Sequence, residues 1–512
     1  LRERVLDQLE ELATWEPLER RGWTLRNSKP HFTGDDGAWL GTGWLVRAIA
    51  DSVDLLGPES LPPKLRAALD ARLEAEIAAM DQDWVKKRTW YFRSQAAHSN
   101  QWILPQEALV RACLVLGVDH RRASYERGVA NLLRSMDAQG PQGEFVEGLR
   151  YSGISVESLY SIARAAARAG DDRLRRHPFL TRFPTWLVHH FQPGGFLVNA
   201  FDSPYSSRGH LSRDQGLLAT AAFVAGSPHA LWALRTRAGF PATLDGLLAA
   251  AMPPAQAAPP PLWADYALAT RLNWRSSWDD DRAAGFWLRG GHPGDFHDHM
   301  DRGHVNFIIG RQPLLIEAGT LTYAVPNNAT HLRSVAGHNV LQIGDAAPER
   351  LKPAELNRAG QIMTREGRAA PIAVDRMDHA GGAATVDLSR CYASLVRWQR
   401  RVQWDASAVT IDDEVELKQP EVLQFRWHLG VPADAPTATT GEGRMTAGDV
   451  AIIYAAEPQV VARVEPMPDA TLAPNKITEH ACVVLRTRDP ALRLKLKTQV
   501  GLGRRPEPGK GL

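Results

Sequence analysis

The densest run of reactive side chains is Phe296-His297-Asp298-His299-Met300-Asp301-Arg302-Gly303-His304. Three histidines and two aspartates within eight residues, just ahead of an apolar run, are a poor pattern for burial unless they are engaged. In an extended segment side chains alternate, so His297, His299 and Asp301 are predicted to face one side. Neutral imidazoles converging with a carboxylate suit a divalent metal, zinc above all; the alternative is a hydrogen-bonded surface loop. Two further features bear on this choice. The apolar run Leu314-Leu315-Ile316-Glu317-Ala318-Gly319 ends in a carboxylate, and Ala336-Gly337-His338-Asn339-Val340 opens another apolar run. His299, Glu317 and His338, on three neighbouring segments, make a three-ligand metal set.

Periodicity identifies the elements that must position these groups. To about residue 272 the pattern is helical. Leu65–Met80 carries apolar residues at helical spacing among Ala, Arg and Glu. Pro105–Gly117, Val156–Gly170, Asp214–Ala225 and Pro228–Ala238 read the same way. Short Gly- or Pro-bearing breaks separate them and no fixed-period motif recurs, which favours an α/α array or toroid over a solenoid. A Pro-rich break at Pro253–Pro261 precedes one more predicted helical stretch, Trp263–Arg271. After residue 280 the runs become short, β-branched or aromatic and turn-bounded: Gly285–Arg289, His304–Ile309, Asn339–Ile343, Leu395–Trp404, Ala408–Val415, Val422–Leu429, Ala481–Arg486 and Arg493–Leu496. That spacing predicts an antiparallel β-sandwich. The fold class is therefore α+β and multidomain: an N-terminal α/α toroid over 1–275, a C-terminal antiparallel β-sandwich over 276–512, and a ligand cleft where they meet.

Composition narrows the function classes. The 512 residues carry 60 Lys+Arg against 58 Asp+Glu, a balance that argues against nucleic-acid binding. No stretch of eighteen apolar residues occurs, so no membrane-spanning segment is expected. Cys113, Cys391 and Cys482 are far apart and form no CxxC pair, which excludes a disulfide scaffold and a thiolate zinc site. Fifty of the 60 basic residues are arginine. Codon bias accounts for this, or else guanidinium forks gripping an acidic ligand. Twelve of the 16 tryptophans precede residue 280 and serve either the core or sugar stacking. The chain opens on Leu1 with an amphipathic run to Leu12, without initiator Met or signal segment, and is expected to be a fragment or a mature form.

His297-Asp298-His299-Met300-Asp301, then Pro313-Leu314-Leu315-Ile316-Glu317-Ala318-Gly319, then His338-Asn339-Val340 resemble, in this order, the C-terminal domain of the heparinase II/III-like polysaccharide lyases. Phe425-Arg426-Trp427-His428-Leu429 is similar to a later strand of that domain. Upstream, Gly143–Tyr151 (GEFVEGLRY) is similar to the family's helical tyrosine motif, Phe196–Asp202 to a segment presenting a Gly-Asp pair, and His98-Ser99-Asn100-Gln101-Trp102 to the segment holding the cleft asparagine. The resemblance spans roughly residues 85–430. It implies an α/α toroid followed by a β-sandwich, β-elimination on a uronic-acid-containing polysaccharide (heparan- or heparin-like, or alginate-like), and a periplasmic or secreted location. The chain's own residues leave a cytoplasmic one open.

Such a lysis removes the C5 proton of a uronate and expels the C4 oxygen, so the substrate carboxylate must be neutralised. The resemblance assigns that role to Asn100, with Gln101 beside it. Tyr151 becomes base and then acid, with Tyr160 as the neighbouring alternative, and His297 is a second acid–base group reaching in from the sandwich. His299, Glu317 and His338 become the ligands of a zinc or other divalent ion that holds the strands and orients His297. Asp301 either orients a ligand histidine or caps the following turn. Asn100 and His297 are expected within roughly 10 Å of each other, flanking one sugar.

Arg88, Arg93 and Arg333 are candidates for uronate carboxylates or sulfates, Trp102 for stacking, and Glu147 joins them as substrate-binding; surface salt bridges and core packing are the alternative uses. Two positions depart from the family pattern: Gln101 where a histidine often follows the asparagine, and Glu317 where an aspartate is usual. Two other functions compete. One is a toroidal glycoside hydrolase pairing Glu144 or Glu147 with Asp202; the other is a non-catalytic glycan-binding relative. In every case the expected partner is an acidic polysaccharide or oligosaccharide, not nucleic acid and not a membrane.

Overall fold

The computed structural model describes residues 2–18, 37–198, 200–202, 211–321, 328–346, 359–431, 437–439, 443–465 and 480–503. Helices dominate as far as residue 251: Arg2–Thr14, Leu40–Leu56, Pro63–Lys86, Trp90–Arg93, Asn100–Leu116, Arg122–Ala138, Leu149–Arg168, Pro178–His189, Gln215–Ala225, Pro228–Ala233 and Leu244–Ala251. Pro63–Lys86 shows why. Proline at its first position has the right φ already, and Leu65, Leu69, Leu73, Ile77 and Met80 recur on one buried stripe. Asn100–Leu116 lies deeper, with residues buried around its whole circumference. Its N-cap is Ser99, whose hydroxyl accepts from the Trp102 amide at 3.2 Å. That cap places Asn100 at the first turn. No described helix is long and apolar enough to cross a membrane.

The C-terminal part is built from antiparallel sheets. Five strands (Trp263–Tyr266, Arg271–Arg275, Ala284–Arg289, Val305–Ile309, Gln312–Leu315) form one sheet in sequence order. Eight strands form a second and four a third; the four-stranded sheet pairs Leu423–Leu429 with Leu341–Ile343 and with Ala481–Thr487. The helix expected at Trp263–Arg271 is instead a hairpin with Trp263 opposite Trp274. The Ala-rich stretch that reads as helical is its turn, and Thr270 adopts a φ of 54° there. Strands therefore begin ahead of residue 276, and cross-strand aromatic pairing prevails over local helix propensity.

The sheets share one apolar core, in which Phe286 stacks on Trp404 at 4.0 Å. Buried charge runs through it. Arg400 is wholly buried, chelates Asp413 through Nε and Nη2 at 2.8 and 3.0 Å, and donates through Nη1 to the carbonyls of Gly303 and Asn339 at 2.7 and 2.6 Å. Arg289, also buried, pairs with Asp301 and with Asp295 at 3.1 Å, while Arg271 reaches Asp295 at 3.0 Å. Arg302 and Arg368 hold Asp298 at 2.6 and 3.1 Å. Burial alone would raise the Asp295 carboxyl, but Arg271 and Arg289 hold it well below the ordinary carboxylate value. A small part of the arginine complement is thus used inside the protein. Arg400→Met should cost about 3–5 kcal/mol in urea denaturation, because Asp413 would remain buried and unpaired. Arg397→Met, on the solvent face of the same strand, should leave the midpoint nearly unchanged.

Candidate active site

His299 lies in the loop between strands Ala284–Arg289 and Val305–Ile309, Glu317 just beyond strand Gln312–Leu315, and His338 just after the turn Val335–Gly337. All three are fully buried, and one ligand atom from each lies within 4.8 Å of the others. Both Glu317 oxygens, both His338 nitrogens and His299 Nδ1 lack a hydrogen-bond partner. Five such atoms side by side in a core would be costly, and a divalent cation satisfies them together. Burial pushes the Glu317 carboxyl up to about 8, and drives His299 and His338 below the ordinary imidazole value. A cation would reverse the shift at Glu317 by favouring the carboxylate, and would reinforce the neutral imidazoles. The residues present therefore fit a metal, and the longer arm of Glu317 still brings its oxygen into the set.

His304 stays outside the set. Its Nε2 is 2.7 Å from Asn306 Oδ1, and its Nδ1 accepts from the Asn339 amide at 3.0 Å. Asn339 staples the surrounding strands: Nδ2 donates to the carbonyls of Val305 and Ile316, and Oδ1 accepts from the His428 amide. Asp301 does not share a face with His297 and His299, as an extended segment would require. The segment bends at His297, where φ is 55°, and Asp301 turns inward to Arg289.

The cluster predicted to span the two parts of the molecule does come together. Tyr151, in the first turn of helix Leu149–Arg168, stacks its ring on His297 with centroids 3.6 Å apart and planes at 12°. Glu147 Oε2 accepts from the backbone amide of Asn100 at 2.9 Å, while Oε1 lies 3.7 Å from His297 Nδ1. Asn100 and His297 thus meet across a single carboxyl group. Burial raises Glu147 to about 8, and lowers His297 to about 4 against the opposing pull of Asp202. Burial thus favours the uncharged form of both groups. His297 is therefore available as a base. Asn100 is 3% exposed, and its Oδ1 makes no hydrogen bond.

Arg333 also belongs here, its Nε 3.2 Å from Asp202 Oδ1 and its side chain 30% exposed. Gln101 accepts from Trp90 Nε1, and Trp90 packs against Phe296. Three expectations are corrected. Trp102 is wholly buried among Trp84, Tyr91 and Phe92 and donates to the Asn131 carbonyl, leaving no face for a sugar. Arg88 is committed to Asp83 and the Ala79 carbonyl, and Arg93 folds back on the carbonyls of Lys87 and Arg88. Both brace their own turn. The alternative tyrosine, Tyr160, is buried with its hydroxyl donating to the Leu180 carbonyl. Glu144 is likewise buried, accepting from the Gln142 amide under the turn at Gly140. The buried arginine layer and the contacts of Asp202 escaped the sequence reading, because each rests on partners distant along the chain.

A helical array followed by antiparallel sheets is the architecture of several solved lyases. Similar structures include the heparan sulfate lyase HepC from Pedobacter heparinus, at 13% identity and TM-score 0.64, covering 99% of this chain and 74% of that one. A heparinase III gene product matches at 11% identity and TM-score 0.64, over 90% of this chain and 68% of its own. A chondroitin AC lyase of Streptomyces coelicolor A3, solved with chondroitin sulphate, matches at 14% identity and TM-score 0.51, over 98% and 71%. At these identities the likeness is one of fold. Residues 276–493 match the family model described as heparinase II/III-like, C-terminal. No curated protein matches the chain by sequence.

His338→Ala should lower bound divalent metal, measured by elemental analysis, and the thermal midpoint together. A full metal complement retained in that variant would remove His338 from the ligand set.

Proposed function

We propose that this protein is a polysaccharide lyase that cleaves a uronic-acid-containing glycan by β-elimination, with heparan- or chondroitin-type glycosaminoglycans as the first substrates to try and alginate-like chains as the next. The observation that carries the proposal is the stack of Tyr151 on His297, with Asn100 held beside them by Glu147. This arrangement supplies what the chemistry demands. The Asn100 amide, whose backbone is pinned, donates to the substrate carboxylate as charge develops on it. Arg333 adds a positive charge at the same edge. The neutral imidazole of His297 takes the phenolic proton of Tyr151; the phenolate then removes the C5 proton and passes it to the departing C4 oxygen, and His297 returns the phenolic proton to Tyr151. Glu147 positions both partners.

His299, Glu317 and His338 would hold the metal, which we assign as zinc from the donor set of two imidazoles and a carboxylate. When bound, it supplies a fixed positive charge and an anchor two residues from His297. A periplasmic or secreted location suits a polymeric substrate of this kind.

Incubation with a panel of acidic polysaccharides should give products absorbing at the ultraviolet edge, from the new C4=C5 double bond. New reducing ends without that absorbance would assign a hydrolase instead, and no cleavage of any acidic glycan would assign a binding protein. Tyr151→Phe should lower turnover by about a hundredfold or more with glycan binding retained, because only the proton-carrying oxygen is lost. Asn100→Ala should lower kcat far more than it raises KM, because its donor acts mainly on the charge that develops in the transition state. A rise in KM with kcat unchanged would make Asn100 a simple binding residue.

A further inference from the structure

The segment 200–202 belongs to the helical part of the chain, yet its side chains sit among residues of the sheets. Phe201 inserts between Gly148 and the buried guanidinium groups of Arg271 and Arg289, which lie 4.9 and 4.2 Å from its ring centre. A Cβ at Gly148 would stand 2.7 Å from Phe201 Cγ, so the ring fits only over glycine. Phe201 takes a φ of 69°, a left-handed conformation rarely adopted by a bulky residue. Asp202 follows at once. Its amide donates to the His297 carbonyl at 3.0 Å, and its Oδ1 lies 3.1 Å from His299 Nε2 and 3.2 Å from Arg333 Nε.

The contact with His299 has a chemical consequence. A histidine that gives one ring nitrogen to a carboxylate keeps the other as a lone pair for a metal, and such outer partners fix both tautomer and ring orientation. Here Nε2 faces Asp202, and Nδ1 is the buried nitrogen without a partner. We propose that Asp202 is the positioning residue of the metal centre, a carboxylate supplied by the helical part that sets His299 in its metal-binding tautomer. Metal affinity and docking of segment 200–202 onto the sheets are then coupled. Because linkage is reciprocal, the metal must tighten the segment as the segment tightens the metal. This inference rests on the metal assignment of His299, Glu317 and His338.

The test is a Zn²⁺ titration of metal-stripped full-length protein against a chelator of known affinity, for the wild type, Asp202→Asn and Asp202→Ala. Asparagine keeps an acceptor and loses the charge, so affinity should fall about tenfold; alanine loses both, and the fall should approach about a hundredfold. Hydrogen exchange on the wild type gives a readout free of mutation: Zn²⁺ should slow exchange of the Asp202 amide. If the wild type binds no Zn²⁺, the metal assignment falls and this inference with it. If the wild type binds and both variants match it, or if Zn²⁺ leaves the Asp202 amide unchanged, the metal centre stands and the role of Asp202 is overturned.

Discussion

The rest of the structure depends on a layer of buried arginine–aspartate pairs. Arg271, Arg289, Arg302 and Arg400 are each fully buried, against Asp295, Asp298, Asp301 and Asp413. Charges of this kind persist in a core only when each is paired with an opposite one. That requirement specifies the loops. Arg400, anchored in the eight-stranded sheet, reaches the carbonyls of Gly303 and Asn339, next to His304 and His338. Asp295, Asp298 and Asp301 tie the His-rich loop down at three points. The loop that carries His297 and His299 is therefore held rigidly without being a strand.

On that scaffold the molecule sets two sites side by side. The buried trio His299, Glu317 and His338 has more polar atoms than internal partners. The cluster Tyr151, His297, Asn100 and Glu147 combines residues from the first turns of two helices, the turn that precedes one of them, and one sheet loop. The two sites meet at His297 and His299, only two residues apart, and the bend at His297 turns one imidazole toward Tyr151 and the other toward the trio. Asp202 touches both, through the His297 carbonyl and the His299 ring. For the proposed β-elimination this economy is sensible. The reaction needs a neutralised carboxylate and a proton carrier on one sugar, so most of the work is accurate placement.

Two departures from the family pattern find physical accommodation. Glu317 is longer than aspartate, yet its oxygen comes within 4.8 Å of the other ligand atoms. Gln101 supplies no imidazole beside Asn100; its carbonyl is held by Trp90, and the titratable group in contact with Asn100 is Glu147.

Much of this was legible in the residues themselves. Helical spacing marked Leu65–Met80, turn-bounded β-branched runs marked the sandwich strands, and the His-rich run with Glu317 and His338 marked the buried trio. These are local or short-range patterns, and local patterns are what a linear sequence displays. Only the tertiary structure decided the rest. Trp263–Arg271 became a hairpin because strand pairing outweighed helix propensity. Trp102, Arg88 and Arg93 were drawn into the core or into bracing a turn, and Asp301 turned to Arg289 once the loop bent at His297. Asp202 found His299 across a gap of 97 residues. No spacing rule predicts such a contact, because it exists only where two separately folded parts press together.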